Sequence, residues 1–306
     1  MTELPMIHSA EVAAAKASGR PIVALESTII THGMPYPQNL AVATEVENDL
    51  RAQGVTPATI AVLEGTLHIG LESAALEQLA QAKGVAKLSR ADLAACMATK
   101  GTGATTVAAT MIGARLAEID VFATGGIGGV HRGADESFDI SADLLELAQT
   151  PVTVVAAGAK AILDVAKTLE VLETHGVPVI SYGQDSFPAF WSAQSQHKAP
   201  LRMDDAEMIA GAHVMRRKLG LPGGQLVANP IPQADEIASD VMAPIIAQAQ
   251  KDAKTHGIVG KAVTPYLLQR IFELTQGRSL QANISLVRNN ARLAGAIAQA
   301  LCARTS

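Results

Sequence analysis

Aromatic, charged and cysteine residues are scarce in this sequence, and each shortage limits the kind of protein it can be. Phe, Tyr and Trp make up 3% of the 306 residues, whereas hydrophobic side chains make up 48%. The core must therefore consist mainly of Ala, Val, Ile and Leu, in one large domain or two. Charged residues make up only 17%, which argues against intrinsic disorder.

The two cysteines, Cys96 and Cys302, lie far apart and belong to no CxxC motif or Cys/His cluster. This usage excludes the common zinc spacings and is typical of a reducing compartment. The N-terminal segment has no apolar signal core, and no uninterrupted apolar run reaches the roughly 20 residues of a membrane helix. We therefore expect a cytoplasmic protein without a membrane partner.

The sequence also lacks an excess of positive charge. Its formal net charge is −5 at pH 7, which provides no general attraction for nucleic acid or for an anionic membrane. A phosphorylated small molecule would have to be held by a few local cations and backbone amides. No nucleic-acid partner is expected.

Short apolar runs alternate with amphipathic segments, and there is no repeat, linker or low-complexity tract. Strands are predicted at 21–25, 59–63, 121–123, 152–157 and 177–182 and from 226 onwards, and a short strand is predicted to end at Lys87. Helices are predicted at 9–18, 39–53, 73–82, 161–176, 204–219 and 238–255, and in two segments after 264. Ser9, Asn39 and Ser73 are the predicted N-caps of the first three helices. Residues 26–37 are predicted to be irregular. The alternation favours an α/β fold in a single domain over residues 1–306.

Polar residues follow two of the buried strands, at 121–123 and 152–157. Ligands of open α/β sheets bind beyond the carboxyl ends of the strands. We therefore expect one crevice that is faced by Thr124, His131, Asp139, Asp143 and Lys160. For His131, a position on the protein surface is the alternative.

The run GTGATTVAAT at 101–110 is a candidate phosphate cradle. Its glycines allow close backbone approach, and the amides at a helix N-terminus attract phosphate. An ordinary capped helix explains the run equally well. No Gly-Lys-Ser/Thr follows it, which excludes a Walker A loop, and the later run TGGIGGVHRG lacks the strict G-x-G-x-x-G order of a dinucleotide site.

Three acidic residues and one lysine are the candidate reactive groups. Glu26 follows a predicted strand directly, although local capping or pairing also explains it. In DISADL, Asp139 and Asp143 suit magnesium or manganese, while helix capping is the alternative for Asp143. Lys160 ends a buried strand, where an uncharged amine can act as a nucleophile, although a lysine that reaches solvent is the alternative.

The C-terminal helix contributes one further polar position, Asn283, among apolar residues. A buried asparagine needs hydrogen-bond partners, which either the backbone or a ligand could supply.

Ten segments taken together resemble the pseudouridine-5'-phosphate glycosidases, also called pseudouridylate synthases, which are related to indigoidine synthase A-like proteins. The similarity runs from about Pro21 to Leu301. The segments are ALESTIITHGMPYPQN, PATIAVL, GATTVAAT, FATGGIGGVHRG, DISADL, AGAK, FPAF, LVANPIP, TPYLLQRI and SLQANISLVRNNA. The resemblance implies a three-layer α/β/α sandwich around a mixed β-sheet, a homotrimer and one Mn²⁺ per subunit.

The resemblance also implies roles for individual residues. Glu26 corresponds to the proton donor, Lys160 to the covalent nucleophile and Asp139 to the manganese ligand. The substrate-binding positions it implies are Lys87, Thr106, Val107, Thr124, His131, Ser141, Ala142, Asp143 and Asn283. Lys87 and the amides of Thr105 and Thr106 are expected to hold the phosphate, and Thr124, His131 and Asn283 to contact uracil.

The implied reaction is the reversible cleavage of pseudouridine 5'-phosphate to uracil and ribose 5-phosphate. Carbon is a poor leaving group, so the resemblance implies ring opening assisted by Glu26, followed by an imine between Lys160 and the ribose. Two other functions fit the same residues. One is a sugar-phosphate aldolase or lyase that also uses an imine-forming lysine, and the other is a phosphosugar-binding protein without catalysis.

Overall fold

The computed structural model describes residues 3–258 and 260–305. The strands, numbered β1 to β13, are Met6–His8, Ile22–Leu25, Thr56–Leu63, Thr66–Ile69, Ala86–Leu88, Gly103–Thr105, Val121–Ala123, Val130–His131, Thr153–Ala156, Leu163–Asp164, Val179–Tyr182, Leu201–Met203 and Gln225–Ala228. The α-helices, numbered α1 to α13, are Ala10–Ala17, Thr28–His32, Gln38–Ala52, Ser73–Gln81, Leu93–Ala98, Val107–Leu116, Ala134–Ser137, Ala142–Gln149, Val165–Thr174, Ala206–Lys218, Ser239–Thr255, Val263–Leu274 and Arg278–Thr305.

Eleven strands form one mixed sheet. Its order is β1-β4-β3-β2-β7-β9-β13-β11-β12, with β6 paired to β3 and β5 paired to β6. The central strands β2, β7, β9, β13 and β11 are all parallel, whereas β3 pairs antiparallel with β4 and β6. Strands β8 and β10 form a separate antiparallel pair.

Helices cover both faces of this sheet, which confirms the three-layer α/β/α sandwich. Every residue of β7, β9 and β13 is buried, as expected for parallel strands that have helices on both sides. Helix α13 contacts β2, β7 and β9, and α6 contacts β2, β3 and β7. The predicted strands at 21–25, 121–123 and 152–157 are therefore the neighbours β2, β7 and β9.

Helix α13 is held against α3 by an ion-pair cluster. Arg288 donates two hydrogen bonds to Asp49, of 2.7 and 3.0 Å, and Arg292 donates a third of 3.1 Å. Burial alone would raise the pKa of Asp49, but the hydrogen bonds from Arg288 and the charge of Arg292 lower it below its ordinary value. The carboxylate therefore stays ionised at neutral pH and fixes the helix that closes one side of the site.

Two of the three predicted caps were wrong, and Ser9 was right. Ser9 Oγ accepts from the amide of Val12. Asn39 lies inside α3, where its amide nitrogen donates to the carbonyls of Ile30 and Ala80, both at 2.8 Å. Ser73 is the first residue of α4 and not its cap, which is Glu72. Asn39 is a cross-link between helices because its side chain is buried and must be paired within the protein.

Three predictions near the site also differ from the structure. The segment 26–37 is not wholly irregular, since it contains α2. Lys87 lies in the middle of β5 and does not end it. The helix expected directly after Lys160 begins only at Val165, because Asp164 caps it by accepting from the amide of Lys167 at 3.1 Å.

Candidate active site

A pocket of about 400 Å³ opens at the carboxyl ends of the central strands. Thr105 and Thr124 do not line it, whereas all the other site residues expected from the sequence do. These are Glu26, Lys87, Thr106, Val107, His131, Asp139, Ser141, Ala142, Asp143, Lys160 and Asn283. The expected crevice therefore exists, and it joins residues from segments that are more than 250 positions apart in the sequence.

Glu26 and Lys160 reach this pocket from two strands that flank β7. Glu26 follows β2 directly, while Lys160 follows β9 after a short extension of the strand pairing. In that extension the amide of Ile127 donates to the carbonyl of Gly158, and the amide of Lys160 donates to the carbonyl of Ile127, both at 3.1 Å. Both side chains are half-buried. One bound molecule can therefore meet the carboxyl group and the amine together.

Thr124 is one of the two expected site residues that do not line this pocket. Leu25 of β2 pairs in parallel with Ala123 of β7, so the next residues, Glu26 and Thr124, lie side by side. Thr124 is 2% exposed, and its hydroxyl donates to Oε1 of Glu26. The structure therefore places Thr124 against the acidic residue.

The amides of Thr105 and Thr106 do not form the expected phosphate cradle. The amide of Thr105 donates to Ser27 Oγ and that of Thr106 to the carbonyl of Leu88, both at 2.9 Å. The hydroxyl of Thr106 is different, because its oxygen is buried and has no hydrogen-bond partner within the described residues. It stands at the start of α6, beside Val107, where the helix dipole favours an anion.

Asp143 joins two parts of the pocket wall. Its Oδ1 accepts from the amide of Ala108 in the first turn of α6 at 3.0 Å, and its Oδ2 accepts from the amide of Gly128 at 2.7 Å. A Cβ atom on Gly128 would lie 2.2 Å from Ser141 Oγ, so only glycine fits there. Asp143 thus caps α6, whereas the cap of its own helix α8 is Ser141.

His131 and Asp139 both line the pocket, and Asp139 is the expected metal ligand. The pKa of His131 is lowered by burial and by the charges of Lys160 and Lys87, while the charge of Asp139 opposes this shift. Burial therefore favours the neutral imidazole. Across the described ranges, no group of three or more His, Cys, Asp or Glu side chains could together enclose a metal ion.

Asn283 reaches the pocket from α13. Its Oδ1 accepts a 2.6 Å hydrogen bond from the indole nitrogen of Trp191, which also donates to the carbonyl of Ser279 at 3.1 Å. Trp191 packs edge to face against Phe190, with ring centroids 5.0 Å apart, and Phe190 lines the pocket. The indole therefore sets the orientation of the Asn283 amide.

Sequence reasoning missed Thr28 and His32 of α2, which both line the pocket. The hydroxyl of Thr28 donates to Oε2 of Glu26. The pKa of His32 is lowered by burial and by the charge of Lys87. The position of Thr28, two residues after Glu26, was a usable signal, because a hydroxyl there can turn back to the carboxylate. The apolar part of the wall had no such signal; it includes Ile29, Met34, Phe190, Leu268 and Leu286.

Within the described ranges, the structure has no helix of the length and apolarity that a bilayer crossing requires.

Residues 11–300 match the family described as indigoidine synthase A like protein. The chain is 82% identical over 303 residues to the pseudouridine-5'-phosphate glycosidase of Roseobacter denitrificans, covering 99% of this chain and 98% of the relative. It is 68% identical to the protein of that name from Jannaschia sp., covering 97% of this chain and 99% of the relative. The resemblance found in the sequence is thereby confirmed.

Two solved structures share the fold over nearly their whole length. The prealnumycin C-glycosynthase AlnA in complex with ribulose 5-phosphate aligns with a TM-score of 0.91 at 39% identity, covering 100% of this chain and 99% of that chain. An indigoidine synthase A-like protein from Thermotoga maritima aligns with a TM-score of 0.90 at 31% identity, covering 99% and 98%.

Proposed function

Because the chain belongs to the family of indigoidine synthase A like proteins, we propose that it is a pseudouridine-5'-phosphate glycosidase. The reaction is the reversible conversion of pseudouridine 5'-phosphate and water to uracil and ribose 5-phosphate. The observation that carries the proposal is that Glu26 and Lys160 line one pocket together with Lys87 and the start of α6. The high identity to relatives of that name supports the same substrate.

The phosphate lies at the end of the pocket that Lys87 and α6 form. Lys87 supplies a positive charge, and Val107 is the first residue of α6, whose dipole favours an anion. The unpartnered hydroxyl of Thr106 gives a hydrogen bond to a phosphate oxygen. Fixing the phosphate holds C1' near the amine, a positioning effect of about 7 kcal/mol or more when the geometry is ideal.

The chemical steps begin at the ribose ring. Glu26 gives a proton to the ring oxygen, and the bond between that oxygen and C1' breaks. The amine of Lys160 then bonds to C1' and loses a proton. After C5 of uracil is protonated, the nitrogen lone pair expels uracil as the bond between C1' and C5 breaks. Water hydrolyses the resulting imine to ribose 5-phosphate and free Lys160.

A lysine suits this reaction better than a second carboxylate does. In ordinary glycosidases two carboxylates suffice because the leaving group departs through oxygen. Here a carbon atom leaves, and the lone pair of an amine on C1' supplies the electrons that expel it.

We propose that Asp139 holds one Mn²⁺. Manganese and magnesium ions keep several water ligands and need only one or two protein carboxylates. The pocket fits this chemistry, because its lining includes the carboxylate of Asp139 and the oxygen-bearing side chains of Ser141 and Asp143. When bound, the ion would organise water around the ribose and the uracil.

A homotrimer and a cytoplasmic location complete the proposal. The homotrimer follows from the resemblance, and the cytoplasmic location follows from the sparse cysteine usage of the sequence. Light scattering of the purified protein measures the first, and a particle with the mass of a single chain would contradict it.

Incubation of the protein with uracil, ribose 5-phosphate and Mn²⁺ is expected to convert uracil into a phosphorylated, ultraviolet-absorbing product. Chromatography at 260 nm follows both compounds. The same enzyme is expected to release uracil from pseudouridine 5'-phosphate but not from uridine 5'-phosphate, the control with a C–N bond. Consumption of ribose 5-phosphate without any dependence on uracil would support an aldolase or lyase instead, and binding without turnover would support a phosphosugar-binding protein.

Replacing Asp139 with asparagine is expected to weaken Mn²⁺ binding by about tenfold or more, because the amide has lost the charge that a hard cation prefers. Electron paramagnetic resonance of free Mn²⁺ measures this without reference to activity. Asp135→Asn is the matched control, since Asp135 is exposed, pairs with Lys167 and does not line the pocket. Equal Mn²⁺ affinity of wild type and Asp139→Asn would contradict the proposed ligand.

A further inference from the structure

Both carboxylate oxygens of Glu26 are held by threonine hydroxyls. Thr28 donates to Oε2, and Thr124 donates to Oε1. The two threonines come from different places, since Thr28 begins α2 and Thr124 follows β7. We name this three-residue arrangement, Thr28, Glu26 and Thr124, the carboxylate clasp.

The Thr124 side of the clasp is fixed by the backbone and by α13. The amide of Thr124 donates to the carbonyl of Val155 in β9 at 3.0 Å. Its carbonyl accepts from the side chain of Asn290 at 2.8 Å, and Asn290 in turn accepts from Asn229 at 3.1 Å. Asn290 is fully buried. A chain of buried hydrogen bonds therefore sets the place of the Thr124 hydroxyl.

The Thr28 side of the clasp is fixed through its neighbour Ser27. Ser27 is fully buried, and its hydroxyl donates to the carbonyl of Ile60 at 2.7 Å while accepting from the amide of Thr105 at 2.9 Å. The first turn of α2 is thereby anchored to β3 and β6. Thr28, the next residue, is held where its hydroxyl reaches back to Glu26.

Glu26 borders a second cavity as well as the pocket. This cavity, of about 30 Å³, is lined by Glu26, Thr124, Thr59 and apolar side chains such as Val42 and Val46. A cavity of this size is large enough for about one water molecule. Without hydroxyl partners, the carboxyl group would have several rotamers available at the mouth of that cavity.

We propose that Thr28 and Thr124 are positioning residues that hold the carboxyl group of Glu26 at the ribose ring oxygen. The proposal rests on the proposed function, because Glu26 is the proton donor there. Neither hydroxyl needs to touch the substrate. The two hydroxyls increase the fraction of enzyme molecules in which the carboxyl group is placed to give its proton. Losing them should therefore lower kcat and leave substrate affinity largely unchanged.

The test compares Thr28→Val and Thr124→Val, which remove the hydroxyl at nearly constant volume, with Thr28→Ser and Thr124→Ser, which keep it. For pseudouridine 5'-phosphate we expect kcat of each valine variant to fall about 10- to 100-fold, as misplacement of a reacting group does, with KM changed less than about threefold. We expect the serine variants to recover most of kcat. Thr124 is almost fully buried, so if Thr124→Val does not fold, Thr28→Val, at a half-exposed position, carries the test.

Thr150→Val is the matched control. Thr150 also donates its hydroxyl to a buried carboxylate, that of Glu146, but neither residue lines the pocket. The Thr150→Val variant should have a lower thermal unfolding midpoint and an unchanged kcat. It therefore separates the effect of lost stability from the effect of a misplaced carboxyl group.

Three outcomes would overturn the carboxylate clasp while leaving the enzyme's activity established. They are full kcat in both valine variants, a rise of KM at unchanged kcat, which would make the hydroxyls substrate contacts, and serine variants as slow as the valine variants. Failure of the proposed function differs from all three, because the wild-type protein would then release no uracil from pseudouridine 5'-phosphate.

Discussion

Replacement of Lys160 by alanine is expected to reduce kcat for pseudouridine 5'-phosphate by on the order of 10⁴-fold or more, as loss of a covalent nucleophile does in other enzymes. The amine supplies both the bond to C1' and the electrons that expel uracil. Among the described pocket residues, the only other lysine is Lys87. Stopped-flow or chromatographic measurement of uracil release at saturating substrate gives kcat. The binding of ribose 5-phosphate should persist, because Lys87 and α6 still hold the phosphate.

Borohydride trapping identifies the covalent step itself. With ribose 5-phosphate present, reduction should add the mass of the reduced sugar phosphate to a single peptide, the one that contains Lys160. Lys160→Arg is the control that keeps the positive charge but forms no stable imine. Full turnover in Lys160→Ala, or no adduct in the wild type, would contradict the lysine mechanism.

Replacement of Glu26 by glutamine is expected to lower kcat by about 10²- to 10⁴-fold, the usual contribution of a positioned general acid. The amide is nearly the same size as the carboxyl group but cannot give a proton to the ring oxygen. It also disturbs the carboxylate clasp, because its NH₂ group cannot accept a hydrogen bond from a threonine hydroxyl. Substrate affinity should change little, since the phosphate is bound at the other end of the pocket.

Lys160→Ala and Glu26→Gln are distinguished by the covalent adducts that borohydride can still trap in each. Ribose 5-phosphate carries its own aldehyde when its ring is open, so Glu26→Gln should still form the borohydride adduct with it. The same variant should form no adduct from pseudouridine 5'-phosphate, whose ring must first be opened. Glu11→Gln is a suitable control, because Glu11 pairs with Arg51 at the surface. Adduct formation from both compounds at the wild-type rate would remove Glu26 from the ring-opening step.

Part of the central sheet was predictable from the sequence because several of its strands are short, mainly apolar runs. Strands β2, β7 and β9 were found in this way. The runs Met6–His8 and Leu201–Met203 were missed, since they are three residues long, partly exposed and become strands only by pairing with an existing edge. Whether such a segment becomes a strand is decided by tertiary pairing and not by its local propensity.

The residues of the candidate site were predictable to a similar extent, but their hydrogen-bond partners were not. The ends of neighbouring parallel strands meet at one edge, which predicted one crevice for Thr124, His131, Asp139, Asp143 and Lys160. Glu26 joined them only through the resemblance. The sequence could not show that Thr124 faces Glu26, or that the amides of Thr105 and Thr106 are already paired. Those facts depend on the register of β2 against β7 and of β5 against β6, and periodicity carries no information on register.

The order of the central strands determines from which sides the acid and the amine approach the substrate. Glu26 extends from the end of β2 and Lys160 from the loop after β9, and β7 alone separates these two strands. Adjacent strands lie about 4.8 Å apart, so β2 and β9 run roughly 10 Å from each other. A sugar that lies across the end of β7 can therefore be met by the acid from one side and by the amine from the other.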